Sequence, residues 1–288
     1  MLEEMLPADN IHTVSKDCVR GLLKPRDPQA HKGYFGHALL YAGSYGMAGA
    51  AILSAKACMR SGVGLLTVCT PPVNNDILQI SVPEAMVIHT DDMYAKSDIS
   101  RYRAIGAGPG LGQGESQTAL LDKLLKSAAC PAVLDADALN IISQNSHMFE
   151  HIPEGSVITP HPGELARLTG KSEDFAQMAA KAIELSRNTG ITVVVKGAPS
   201  ITVSPDGMAY VNTTGNDGMA TGGSGDVLTG IVLALLAQGY NAVESAVIAT
   251  FIHGYAGDLA AAAMSRTAMT SADIITCLPQ AWLNMEIK

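Results

Sequence analysis

The sequence predicts an α/β fold of three layers, helices on either side of a mostly parallel central sheet, and two observations carry that expectation. Short runs rich in branched residues alternate along the chain with longer helix-like segments, the signature of βαβ units. The run Thr192-Val193-Val194-Val195 is almost wholly apolar, as a strand covered on both faces must be. No linker rich in proline, serine or charge divides the chain, and no internal repeat interrupts it. A single domain over 1–288, with residues 1–30 as an N-terminal extension, is therefore expected.

Taken in order, the apolar runs ALLYA (38–42), LLTVC (65–69), AMVIH (85–89), AIG (104–106), AVLD (132–135), VIT (157–159) and TVVVK (192–196) read as strands. Helices are expected between them at 47–61, 116–128, 138–144, 163–169 and 174–188. A hairpin follows, 200–204 and 208–212, because Pro205-Asp206-Gly207 supplies the residue types that reverse a chain. The last third reads as three helices, 226–238, 242–264 and 271–284.

Composition narrows the function. Hydrophobic residues at 47% against 16% charged leave ample material for a core and argue against disorder. A net charge of -8 argues against nucleic acid as a partner, which would need a basic face. Five cysteines without a C-x-x-C pair fit reduced thiols in the cytoplasm better than disulfides or zinc. The acidic start MLEEMLPADN is no secretory leader. The run 227–237 is too short to span a bilayer, so no membrane association is expected.

In open α/β sheets, ligands gather at the carboxyl ends of strands, where glycine loops enter helices. The sharpest such loop is NDGMATGGSGD, 216–226, which runs into an apolar helix. Glycines at 222, 223 and 225 let several N–H groups converge, and the helix N-terminus adds positive potential, which suits a phosphate in transfer. Asp226 then reads as a general base for a hydroxyl attacking that phosphate, or else as a helix cap. Lys196, followed by Gly197, Ala198, Pro199 and Ser200, stands at a strand end, placed either for a nucleotide phosphate or ribose or as a solvated lysine before a turn. GAGPGLG at 106–112 offers no register of G-x-G-x-x-G, and no P-loop pattern occurs. The turn GSYGMAGA, 43–50, serves close packing or ligand contact equally well.

Thr159-Pro160-His161-Pro162-Gly163-Glu164 holds His161 and Glu164 stiffly before a helix. Glu164 either complements the helix dipole or helps, through water, to hold Mg²⁺ against phosphates. His161 is either a substrate contact or structural. Asp135 and Asp137 are either site residues or caps of the following helix.

At these residues the sequence resembles the ribokinase-like superfamily and, more narrowly, the nucleotide-dependent NAD(P)H-hydrate dehydratases. The carriers are KGYFGHALLYAGSYGMAGA, GAGPGLG, VLDADALN, TPHPGE, VVVKG and GNDGMATGGSGDVLTGI. Sugar and vitamin kinases of that superfamily carry N-x-x-E where this chain has His161 to Glu164, and the histidine favours the dehydratase branch. The resemblance implies a repair reaction, in which ADP or ATP phosphorylates the hydroxyl of hydrated NADH or NADPH and phosphate then leaves. It implies Asp226 as the base, with Ala50, Gly110, His161 and Asp226 facing the hydrate. Lys196 to Ser200, with Gly223, Ser224 and Gly225, would take the nucleotide and the moving phosphoryl group. It also implies Mg²⁺, a homotetramer, and an epimerase supplied by a separate protein; the apolar C-terminal helices are, by their composition, a candidate interface. The competing expectation is a kinase of a vitamin precursor, which would keep its phosphate ester.

Overall fold

The computed structural model describes residues 10–96 and 98–286. Ten strands form one sheet: β1 (Ile11–Val14), β2 (His37–Tyr41), β3 (Leu65–Thr70), β4 (Met86–His89), β5 (Ala104–Ala107), β6 (Ala132–Leu134), β7 (Val157–Ile158), β8 (Thr192–Val195), β9 (Ile201–Val203) and β10 (Ala209–Asn212). Their spatial order is β1-β10-β9-β8-β7-β6-β5-β2-β3-β4. Among the described residues only the pairs flanking β9 are antiparallel, the hairpin and its join to β8. The chain reverses there through Gly207, whose N–H reaches the Ser204 carbonyl at 2.9 Å.

The helices are α1 (Lys16–Leu22), α2 (Ala48–Arg60), α3 (Asn75–Ser81), α4 (Met93–Lys96), α5 (Glu115–Ser127), α6 (Ala136–Gln144), α7 (Pro162–Thr169), α8 (Phe175–Thr189), α9 (Ser224–Ala237), α10 (Ala242–Met264) and α11 (Ser271–Leu283). Two apolar clusters sandwich the sheet. One joins α2, α9, α10 and α11 to Ala38 and Leu40. The other joins α5, α6, α7 and α8 to Leu39 and Tyr41. Alternate side chains of β2 thus enter opposite cores, which is why its sequence shows no polar face.

Apolar on all sides, α9 is buried at every position from Val227 to Ala237, as such a helix must be. Its approach to α2 depends on Gly230, where a Cβ would lie 2.2 Å from the Ser54 carbonyl oxygen. At 23 residues, α10 spans the residues expected for it and is long and apolar enough by composition to cross a bilayer. Here it packs within the helical layer against α9 and α11. Most of the apolar C-terminal surface expected as a subunit interface is therefore spent on the core.

Residues 10–22 add an edge strand and a helix where the sequence pattern pointed to no element. β1 pairs parallel with β10, Ile11 opposite Ala209. Ser15 caps α1 by accepting the Cys18 N–H at 3.2 Å, and Val14 and Val19 are buried. The short helices α3 and α4 were likewise unanticipated, because a few residues carry too little periodicity to be read.

Candidate active site

The carboxyl ends of β8, β7, β6, β5 and β2 lie side by side along one edge of the sheet, all parallel. That order brings together residues distant in the chain. Lys196 follows β8, His161 and Glu164 follow β7, Asp135 follows β6, and the GAGPGLG and GSYG loops leave β5 and β2.

At the centre is a buried ion pair. Lys196 Nζ donates to Asp135 Oδ1 at 2.6 Å, and the Thr229 hydroxyl donates to Asp135 Oδ2 at 2.8 Å. Asp135 occupies the N-cap position of α6 but makes no capping bond with its side chain, so its carboxylate is spent on Lys196 and Thr229. Burial alone would lower the lysine's pKa; the carboxylates of Asp135, Glu164 and Asp226 outweigh it and raise the value. Lys196 is therefore a fixed cation. Asp137 acts elsewhere. It accepts the Gly112 N–H and the Gln113 side-chain amide, both at 2.8 Å, and so ties the GAGPGLG loop to α6.

Over this pair sits the start of α9. Gly223 is its N-cap, at φ +88, where no side chain could follow without meeting Leu53. A Cβ on Gly225 would stand 3.3 Å from Lys196 Nζ and 3.6 Å from Asp135 Oδ2, so the glycine backbone rests directly on the ion pair. Asp226 does not cap the helix. Burial, reinforced by the Asp135 carboxylate, pushes its carboxyl up to about 7 against the opposing pull of Lys196. A carboxylate held near neutrality beside the free N–H groups of a helix's first turn can take a proton from a hydroxyl while those groups receive an anion.

The loop before α9 is braced from below by residues that sequence reasoning missed. Asp258 on α10 accepts the Gly215 N–H at 3.0 Å and the Asn216 amide at 2.9 Å. Ser271 donates to the Gly222 carbonyl at 2.7 Å. Ser224 Oγ lies 3.3 Å from His253 Nε2, and burial holds that imidazole neutral, its pKa lowered to about 4. Thr229 had a visible signal, standing one helical turn after Asp226. His253 and Asp258 showed only as polar residues within an apolar helix.

His161 and Glu164 form a capping box on α7. His161 Nδ1 accepts the Gly163 N–H at 3.0 Å, and Glu164 Oε2 accepts the His161 N–H at 2.8 Å. The imidazole remains about half exposed and open to a ligand. Glu164 is buried, with its other oxygen 3.3 Å from His161 Nε2 and Lys196 Nζ 3.6 Å from Oε2. A cation coordinated directly by Glu164 would meet the lysine charge, so direct coordination does not fit. Among the described residues no group of three or more His, Cys, Asp and Glu side chains is placed to hold a metal.

The remaining expected residues fall on either side. Gly197 and Ser200 close the turn after Lys196, the Gly197 N–H donating to Ser200 Oγ at 3.3 Å, with Ala198 and Pro199 between them. Gly110 and Ala50 touch: a Cβ on Gly110 would be 2.9 Å from that of Ala50. Ser44 Oγ donates to the Gly110 carbonyl at 2.8 Å. The edge thus has the lysine turn at one end and the Gly110–Ala50 contact at the other, with Asp226 between.

Residues 38–280 match the family described as NAD(P)H-hydrate dehydratase. The chain is 35% identical over 283 residues to the ADP-dependent (S)-NAD(P)H-hydrate dehydratase of Bacillus subtilis, covering 96% of this chain and 100% of that one. It is 36% identical to the bifunctional NAD(P)H-hydrate repair enzyme of Moorella thermoacetica, covering 93% of this chain but 53% of that protein. The chain spans about half the length of such bifunctional relatives. The crystal structure of the B. subtilis ADP/ATP-dependent NAD(P)H-hydrate dehydratase, grown with ATP and Mg²⁺, superimposes with a TM-score of 0.86 at 32% identity, covering 97% of this chain and 100% of that one. A hydroxyethylthiazole kinase from Pyrococcus horikoshii shares the ribokinase-like fold alone, at TM-score 0.61 and 14% identity over 86% of this chain and 89% of that one.

Proposed function

The chain belongs to the NAD(P)H-hydrate dehydratase family, and from that premise we propose that it returns hydrated NADH and NADPH to the working cofactors, with ADP or ATP as phosphoryl donor. The observation that carries this reading is the Asp226 carboxyl, poised at about 7 at the N-terminus of α9 above the Asp135–Lys196 pair.

The chemistry follows from the leaving group. Hydroxide departs poorly from the hydrated ring, whereas phosphate departs readily once the ring nitrogen's lone pair pushes it out. Asp226 takes the proton from the hydrate hydroxyl as its oxygen attacks the donor's terminal phosphorus. The N–H groups around Gly223, Ser224 and Gly225 receive the charge of the moving phosphoryl oxygens. Phosphate then leaves with the C–O bonding pair as the ring nitrogen's lone pair forms an iminium. Loss of a proton from the neighbouring ring carbon, to water or the departing phosphate, re-forms the double bond. One turnover converts hydrate and ADP into NADH, AMP and phosphate, or hydrate and ATP into NADH, ADP and phosphate.

In this reading Lys196, Gly197, Ala198, Pro199 and Ser200 contact the nucleotide, and Ala50, Gly110 and His161 contact the hydrate. Mg²⁺ arrives on the nucleotide phosphates and keeps most of its waters; Glu164 serves by holding Lys196 and His161 in place. A cytoplasmic location accords with five unpaired cysteines. A homotetramer is the proposed assembly, and the exposed Val73, Ile77, Ile80 and Met86 offer an apolar face for contacts between copies. The epimerisation of the hydrate falls to another protein or domain.

The test is the recovery of absorbance by reduced nicotinamide when protein, NADPH hydrate, Mg²⁺ and either ADP or ATP are mixed. Recovery that needs nucleotide, releases phosphate and vanishes in Asp226→Ala supports the reading. A flat trace from folded, nucleotide-binding protein refutes it, and a retained phosphate ester on a vitamin alcohol would replace it.

A further inference from the structure

Beyond the Gly110–Ala50 contact, the same edge of the sheet continues to β2, β3 and β4, and there it opens into a cavity of about 520 Å³. The size suits a mononucleotide-sized group. Its near wall is shared with the site already described. Gly43 and Leu111 line it, Leu111 follows Gly110 in the chain, and the Gly43 N–H donates to the Pro109 carbonyl at 2.8 Å. The reversal in strand order between β5 and β2 falls at this wall, and such reversals open the crevices where α/β sheets take ligands.

The lining is mixed in a particular way. Tyr41 and Leu111 give apolar walls, Asp91 a carboxylate and Lys123 an ammonium. Lys123 Nζ stands 3.8 Å from the centre of the Tyr94 ring, which keeps the cation at the cavity wall. These groups match the parts of an adenosine phosphate: an apolar floor beneath the purine, a carboxylate to accept hydrogen bonds from ribose hydroxyls, and a cation for phosphate.

We infer that this cavity receives the adenosine-phosphate half of the pyridine dinucleotide substrate. The inference rests on the functional reading above, which puts the hydrated ring beside Asp226 and leaves the other half of the molecule to be housed. The donor nucleotide occupies the β8 end of the edge, so the substrate's far half runs the other way. From the end of β6 to that of β3 is three strand spacings, about 14 Å, a distance an extended dinucleotide covers.

The test compares two substrates, the hydrate of NADH, whose adenosine ribose keeps both hydroxyls, and the hydrate of reduced nicotinamide mononucleotide, which lacks the adenosine half. The readout is the ratio of kcat/KM for the first over the second, in the parent, Lys123→Ala and Asp91→Asn. Each variant should lower that ratio about tenfold, through KM for the dinucleotide, since one charged contact carries about that much. An unchanged ratio in both variants overturns the cavity assignment while leaving the dehydratase reading intact. A parent inert on both hydrates overturns the functional reading itself and this inference with it. If the parent accepts only the dinucleotide, KM for the dinucleotide decides: a rise in the variants supports the assignment and no rise overturns it.

Discussion

Replacing Asp226 by asparagine keeps the size of the side chain and removes its titration. In the folded chain, burial reinforced by Asp135 lifts the carboxyl to about 7 from an ordinary 3.8; in the unfolded chain it returns to the ordinary value. Between about pH 4 and 7 the folded state therefore binds more protons than the unfolded state, and stability must fall as pH rises through that window. A shift of about three units corresponds to about 4 kcal/mol, a ceiling, because water reaching the partly buried carboxylate screens it. Asp226→Asn lacks this dependence. It should match the parent near pH 4 and exceed it by up to about 4 kcal/mol at pH 8, read from urea unfolding at both pH values. Activity should move the other way. The parent's kcat/KM should rise with pH through about 7 as the base form fills, while the variant stays inactive. Parallel pH–stability curves for parent and variant would refute the picture of a carboxylate kept in an unfavourable site for its chemistry.

Other perturbations address the supports. Lys196→Met strands the Asp135 carboxylate, 1% exposed, with Thr229 alone, and should cost about 3–5 kcal/mol in denaturant unfolding; adding Asp135→Asn should recover most of that loss. Gly230→Ala forces a methyl group to within 2.2 Å of the Ser54 carbonyl oxygen and should push α2 from α9, lowering stability by about 3 kcal/mol in thermal melts. His161→Ala removes the cap of α7 and should cost about 1 kcal/mol. The same variant should raise KM for the hydrate, with KM for the nucleotide unchanged, if the exposed imidazole meets substrate.

The glycine loop before α9 and the position of Asp226 were legible because each is a local feature: a loop of small residues, a helix start, and an acid where anions are expected. The strands β2, β3, β5 and β8 were legible for the same reason, since apolar runs betray strands buried on both faces. What these residues do to one another was not. Asp135 reads equally as a helix cap or a site residue, and only the adjacency of β6, β7 and β8 brings Lys196 to 2.6 Å from it. Glu164 reads as a dipole complement or as a holder of Mg²⁺ through water, and only the structure shows Lys196 Nζ standing 3.6 Å from its carboxylate.

The same division runs through the whole chain. Composition and periodicity determined the layers, because burial on one face or two leaves its mark residue by residue. Strand order decided the site, because residues far apart in the chain meet only after the sheet has chosen its neighbours. The edge strand β1 pairs with β10 across almost two hundred residues, and the brace from Asp258 to Gly215 depends on how α10 lies under a loop. Hydrogen bonds and ion pairs of this kind are set by distance in space, and a short-range sequence pattern carries no record of it.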